Sequence, residues 1–104
     1  MQPAKLLRVH LSEGDRHEGK LLYEAIVTRC RELGVAGATV FRGVEGFGET
    51  AELHHSGLLR GGRPIAITIV DSAEKLALVV PEIECMLHTG MLAMSDVQIL
   101  RVQK

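Results

Sequence analysis

This 104-residue chain lacks a long apolar run, a signal-like leader, a cysteine cluster and any excess of one charge. Each absence removes a class of function. No stretch approaches the roughly 20 apolar residues that a membrane-spanning helix needs. Met1-Gln2-Pro3-Ala4-Lys5 leads straight into an alternating pattern, not into the apolar segment of a signal peptide. A cytoplasmic chain without membrane insertion is therefore expected. Twelve Lys and Arg stand against thirteen Asp and Glu. Nucleic-acid binding rests on many cationic contacts to phosphate, and no basic cluster supplies them here. Cys30 and Cys85 each stand alone, with no Cys-x-x-Cys pair and no histidine at zinc-finger spacing. Both read as small buried thiols in a reducing compartment, with a disulfide between them left open.

What is present suits one compact domain spanning residues 1–104, with 46% apolar composition to fill its core. Lys5 to Ser12 alternates, with Leu7, Val9 and Leu11 on one side and Leu6, Arg8 and His10 on the other, as a half-buried strand does. Glu13 to Gly19 reads as a loop. Lys20 to Leu33 has helical spacing, with Leu22, Ile26, Cys30 and Leu33 in a stripe and Gly34 as the stop. Ala38 to Phe47 is a second strand. Pro64 to Val70 is a third, with Ile65, Ile67 and Ile69 facing the core. Asp71 or Ser72 caps a second helix lined by Leu76, Val79, Val80, Ile83 and Leu87 and ended by Gly90. Pro81 inside it predicts a kink or break. Val97 to Val102 completes the set.

The order βαββαβ is that of a ferredoxin-like α+β fold, a four-stranded antiparallel sheet with two helices on one face. The other face keeps Leu6, Ala66, Val70, Leu100 and Val102 without a covering helix. Symmetric self-association is the simplest cover.

The segment Gly37 to Gly48 carries the most information. A β-branched strand acquires Gly43, Gly46 and Gly48 within six positions, then enters the polar stretch Glu49 to Arg63. Glycines in a strand mark a bulge or a close approach to the backbone. Two readings stay open: a bent strand feeding a hairpin, or a cradle for a ligand.

Several motifs together resemble a known family. They are Leu7-Arg8-Val9, Glu13-x-Asp15, Gly19-Lys20-x-Leu22-Tyr23-Glu24-Ala25-Ile26, Gly37 to Gly43, Gly46-Phe47-Gly48 and Ile69-Val70-Asp71-Ser72. The pattern is similar to the PII-like family called domain of unknown function 190, within the nitrogen-regulatory PII superfamily. The resemblance implies a homotrimer with clefts between subunits that hold an adenine-nucleotide-type effector. It also implies a T-loop-like segment at about 49–62 that contacts a regulated protein, a membrane transporter being one candidate. Carried onto this sequence, the nucleotide-binding positions are Thr39, Arg42, Gly43, Gly46, Phe47, Gly48 and Arg101. The partner-loop positions are Glu49, Glu52, His54, His55 and Arg60.

The chain also departs from ordinary PII proteins. It has one more residue between Thr39 and Gly46. The Thr-Gly-x-x-Gly-Asp-Gly-Lys phosphate loop is replaced by Thr89-Gly90-Met91-Leu92-Ala93-Met94-Ser95. An AMP-like or cyclic nucleotide is therefore expected rather than ATP. The loop has no tyrosine, which excludes uridylylation there.

Two other chemistries compete. His54-His55 with Glu49 and Glu52 could ligate a metal, as in a trimeric divalent-cation-tolerance module. Acylphosphatases share the size and strand order, but they need an asparagine, and the chain contains none. No catalytic dyad or triad is evident, so the chain is not expected to be an enzyme.

Overall fold

Alternating aliphatic residues build the middle of the sheet. The structure is a computed structural model that describes residues 1–47, 53–55 and 62–104. Its strands are β1 (Gln2–Ser12), β2 (Arg16–His17), β3 (Lys20–Leu21), β4 (Ala38–Arg42), β5 (Glu45–Phe47), β6 (Leu53–His55), β7 (Pro64–Asp71) and β8 (Met91–Ile99). Its helices are α1 (Leu22–Glu32) and α2 (Ala73–Met86). The main sheet runs β4-β7-β1-β8, every neighbour antiparallel, which is the ferredoxin-like order. In register, Leu7, Val9 and Leu11 pair with Ile69, Ile67 and Ile65. Leu22, Ile26 and Cys30 of α1 and Leu76, Val79 and Ile83 of α2 close the core over that face.

Local chemistry sets the helix ends. The expected start of α1 at Lys20 moves to Leu22, because Lys20–Leu21 pair with Arg16–His17 in a small hairpin. Its turn places Glu18 at φ 50° and Gly19 at φ 81°, the two positive angles of a type I′ turn. The Leu22 N–H donates to the Asp15 carbonyl at 2.8 Å, satisfying a donor at the helix start. At the other end Gly34 (φ 81°) donates to Arg31 O and Val35 to Cys30 O, which is a Schellman closure. Ser72 caps α2 by accepting the Lys75 N–H at 3.1 Å.

Several expectations need correction. The break expected at Pro81 does not occur, since α2 runs as one helix from Ala73 to Met86. The carbonyl freed one turn back belongs to Ala77, and both residues lie on the exposed side, where water can satisfy it. The last strand is Met91–Ile99, not Val97–Val102, because it pairs with β1 from His10↔Met91 to Gln2↔Ile99. Leu100 and Val102 therefore lie past the strand, 68% and 70% exposed. The uncovered face is instead composed of rows such as Met91-His10-Ala66-Phe41 and Ser95-Leu6-Val70. The second strand divides at Gly43–Val44 into β4 and β5, and β5 pairs with β6. Cys85 is exposed, whereas Cys30 is buried, and both are free thiols.

Candidate functional site: the stems of the 43–62 segment

β1, β7 and β4 end side by side, so three sequence-distant residues meet. Ser12 pairs with Pro64, and Arg42 pairs with Ile65. Glu13, just past β1, donates its N–H to the Arg63 carbonyl at 2.9 Å. The Arg63 N–H returns a hydrogen bond to Glu13 Oε1 at 3.3 Å, and Arg42 Nη2 lies 2.8 Å from Glu13 Oε2. One carboxylate thus touches both stems of the segment that leaves β4 and returns to β7. Gly62 sits there at φ 72°, and a Cβ on it would lie 3.1 Å from Glu13 Oε1.

The glycine bend makes a close approach, but its partner is internal. A Cβ on Gly43 would lie 2.7 Å from Pro64 Cγ. The Gly43 N–H donates to the Pro64 carbonyl at 2.7 Å. Gly46 lies in β5 opposite His54, and Phe47 opposite Leu53. His55 is the register partner of Glu45, so both histidines belong to a strand pair rather than to an open loop. Gly48, Glu49, Glu52 and Arg60 lie outside the described residues.

The other expected positions divide between places. Thr39 pairs with Thr68 on the uncovered face, whereas Arg42 pairs with Ile65 on the helix-facing side. Arg101 lines a groove of about 820 Å³ at the far end of the sheet, with Lys5, Asp71 and Asp96. Register places that groove along Gln2–Lys5 of β1, its Arg101 end past the Gln2–Ile99 pair, and Arg42 beside Leu11. At ~3.3 Å per residue, about 30 Å separates the two ends. One chain cannot bring Arg42 and Arg101 to one small ligand.

Where ordinary PII proteins place a phosphate loop, this chain has strand. Residues 91–95 pair with β1. Gly90 turns into that strand at φ 147°, and a Cβ on it would lie 2.6 Å from the His10 carbonyl oxygen. Among the described residues, no three His, Cys, Asp or Glu side chains gather as a metal-ligand group.

Sequence reading missed Arg63 and Phe41 and placed Glu13 only at the start of a loop. Glu13-x-Asp15 was visible as a motif, but its partners come from β4 and β7. Asp15 organises its own turn, accepting the Ser12 N–H at 3.0 Å.

Residues 4–99 match the family described as domain of unknown function 190, Uncharacterized ACR. The chain belongs to this family. A relative, the UPF0166 protein of Aquifex aeolicus, is 38% identical over 98 residues, covering 92% of each chain. Among solved structures, CPII of Thiomonas intermedia K12 bound to ADP and bicarbonate matches with a TM-score of 0.73 at 20% identity, covering 95% of this chain and 90% of that one. CPII is described as a nitrogen regulatory PII-like protein. The periplasmic divalent cation tolerance protein CutA of Archaeoglobus fulgidus matches at 0.61 and 18% identity, covering 97% and 88%. These likenesses establish a PII-like fold for this family member. No helix among its described residues is long and apolar enough to cross a membrane.

Proposed function

We propose that this family member is a non-enzymatic regulatory protein that binds an adenine nucleotide of the AMP type in clefts between copies of itself. The observation that carries the reading is the stem geometry: the Arg42 guanidinium stands at the Gly43 bend, where the Glu13 carboxylate and the Arg63 backbone also meet. A guanidinium offers the forked donors that phosphate geometry favours. The fold is shared with a protein whose structure holds ADP. Arg101 joins such a site only from a neighbouring copy, because within one chain it sits a strand's length away. A homotrimer packed through the uncovered sheet face supplies that neighbour and covers Phe41 and Met91, which are 56% and 49% exposed in the single chain.

The segment at 49–62 then carries the state to a partner protein. A ligand needs only about 1.4 kcal/mol of preference for one arrangement to shift its population tenfold. Strand structure at 91–95 in place of a phosphate loop favours a monophosphate over a triphosphate. The second reading is a divalent-metal-responsive module, favoured by the fold match to CutA.

Isothermal titration tests both. The first reading expects heat with AMP or ADP, weaker binding of ATP, loss of binding in Arg42→Ala, and a trimer by native mass. Silence with nucleotides and a His54→Ala-sensitive signal with copper or zinc would transfer the case to the second.

A further inference from the structure

We propose that Glu13 is an internal competitor for the anionic ligand: its carboxylate occupies Arg42 in the empty protein, and a bound phosphate takes Arg42 from it. This inference rests on the nucleotide reading above and specifies how that site is controlled. Glu13 Oε2 lies 2.8 Å from Arg42 Nη2, the position a phosphate oxygen would take. The other oxygen, Oε1, accepts the Arg63 N–H at 3.3 Å. Carboxylate and phosphate both accept from the guanidinium fork, so they exclude one another in the same geometry.

The arrangement is built to yield. The Glu13 side chain is 29% exposed and that of Arg42 48%, and ion pairs this open are weak. Displacement does not strand the carboxylate, which keeps the Arg63 N–H and reaches water. Before binding, Glu13 ties the outgoing stem at Arg42 to the returning stem at Arg63. Afterwards it holds only the returning stem. Ligand occupancy is thereby coupled to the two ends of one segment by a single side chain.

Glu13→Gln separates competition from support. Gln keeps the shape and the acceptor for Arg63 but drops the charge. If Glu13 merely supported the site, the variant would bind AMP more weakly. Competition gives the opposite sign: AMP affinity measured by titration calorimetry should rise about two- to fivefold. The Glu13→Gln/Arg42→Ala double variant should bind AMP no better than Arg42→Ala alone. Glu13→Asp, too short to span both stems, should give a smaller gain, and thermal melts confirm that each variant is folded. Equal or weaker AMP binding in a folded Glu13→Gln, with the native chain binding normally, overturns this proposal and leaves the nucleotide reading standing. No heat with AMP or ADP in either protein overturns both.

Discussion

Glu13 and Arg42 stand at the ends of strands that are not neighbours, yet their side chains meet at 2.8 Å across the start of β7. The contact spans the strand between them because Glu13 is already past the end of β1 and Arg42 is the last residue of β4. A half-exposed pair of this sort contributes about 0.2–1 kcal/mol. Its effect is therefore one of position more than of stability. It fixes where the 43–62 segment leaves the sheet relative to where it returns.

The Gly43–Pro64 contact makes a directly testable claim about that stem. A methyl on Gly43 would lie 2.7 Å from Pro64 Cγ, well inside van der Waals contact. Gly43→Ala should cost about 1–3 kcal/mol, as overpacking does. Most of that cost should disappear in a Gly43→Ala/Pro64→Ala background, because the atom in the way belongs to the proline ring and not to backbone. Urea melts of the four proteins give the coupling. Additive losses would show that the bend is held by something other than the ring.

Gly90 is the contrasting case. Its φ of 147° and an added Cβ only 2.6 Å from the His10 carbonyl oxygen leave no side chain to trim. Gly90→Ala must distort the β1–β8 ladder at its His10↔Met91 end. The expected loss exceeds that of Gly43→Ala, with hydrogen exchange accelerated first at Met91 and Leu92. A melt within about 0.5 kcal/mol of the native chain would contradict the close approach.

These two glycines also mark what the sequence could and could not disclose. The central strands were legible because Leu7, Val9 and Leu11, and Ile65, Ile67 and Ile69, alternate strictly with one face buried. Gly34 was legible as a helix stop for the same reason of local chemistry. β8 was not. It is an edge strand, paired on one side only, and Met91, Ala93, Met94, Ser95 and Asp96 along it are exposed, so no clean alternation survives. The strand break at Gly43 was visible as a glycine signal, but its cause, Pro64, is set by tertiary pairing. Glu13 was hidden more deeply still. Its partners lie 29 and 50 positions away, and only the sheet order brings them within reach.

The two thiols should differ in reactivity by their burial. Cys30 is 2% exposed between α1 and the sheet, and burial pushes its pKa up from the ordinary thiol value. The thiolate is the reactive species, so a raised pKa and lack of access act in the same direction. Cys85 is exposed on α2. An aromatic disulfide reagent at about pH 8 should modify one thiol per native chain and both after denaturation. Raising the pH should bring no labelling to Cys30 while the chain stays folded. Rapid native labelling in Cys85→Ser would show that α1 does not hold Cys30 against the core as described.

The uncovered sheet face decides whether copies assemble as proposed. Phe41 and Met91 end one row across it, with Ala66 and His10 between. Burying an aromatic of this size against a second copy is worth about 1.5–3 kcal/mol per side chain. Phe41→Asp removes that gain and puts a charged carboxylate where the contact would bury it. Within the single chain Phe41 is 56% exposed, so the substitution should leave the fold itself intact. Leu78→Asp is the matched control, because Leu78 is 62% exposed but lies on α2, which covers the opposite face. Native mass should show the trimer for the parent and for Leu78→Asp, and single chains for Phe41→Asp. The reverse pattern, with assembly lost on Leu78→Asp and kept on Phe41→Asp, would place the contact on the helices and dismantle any site that needs Arg101 from across the sheet.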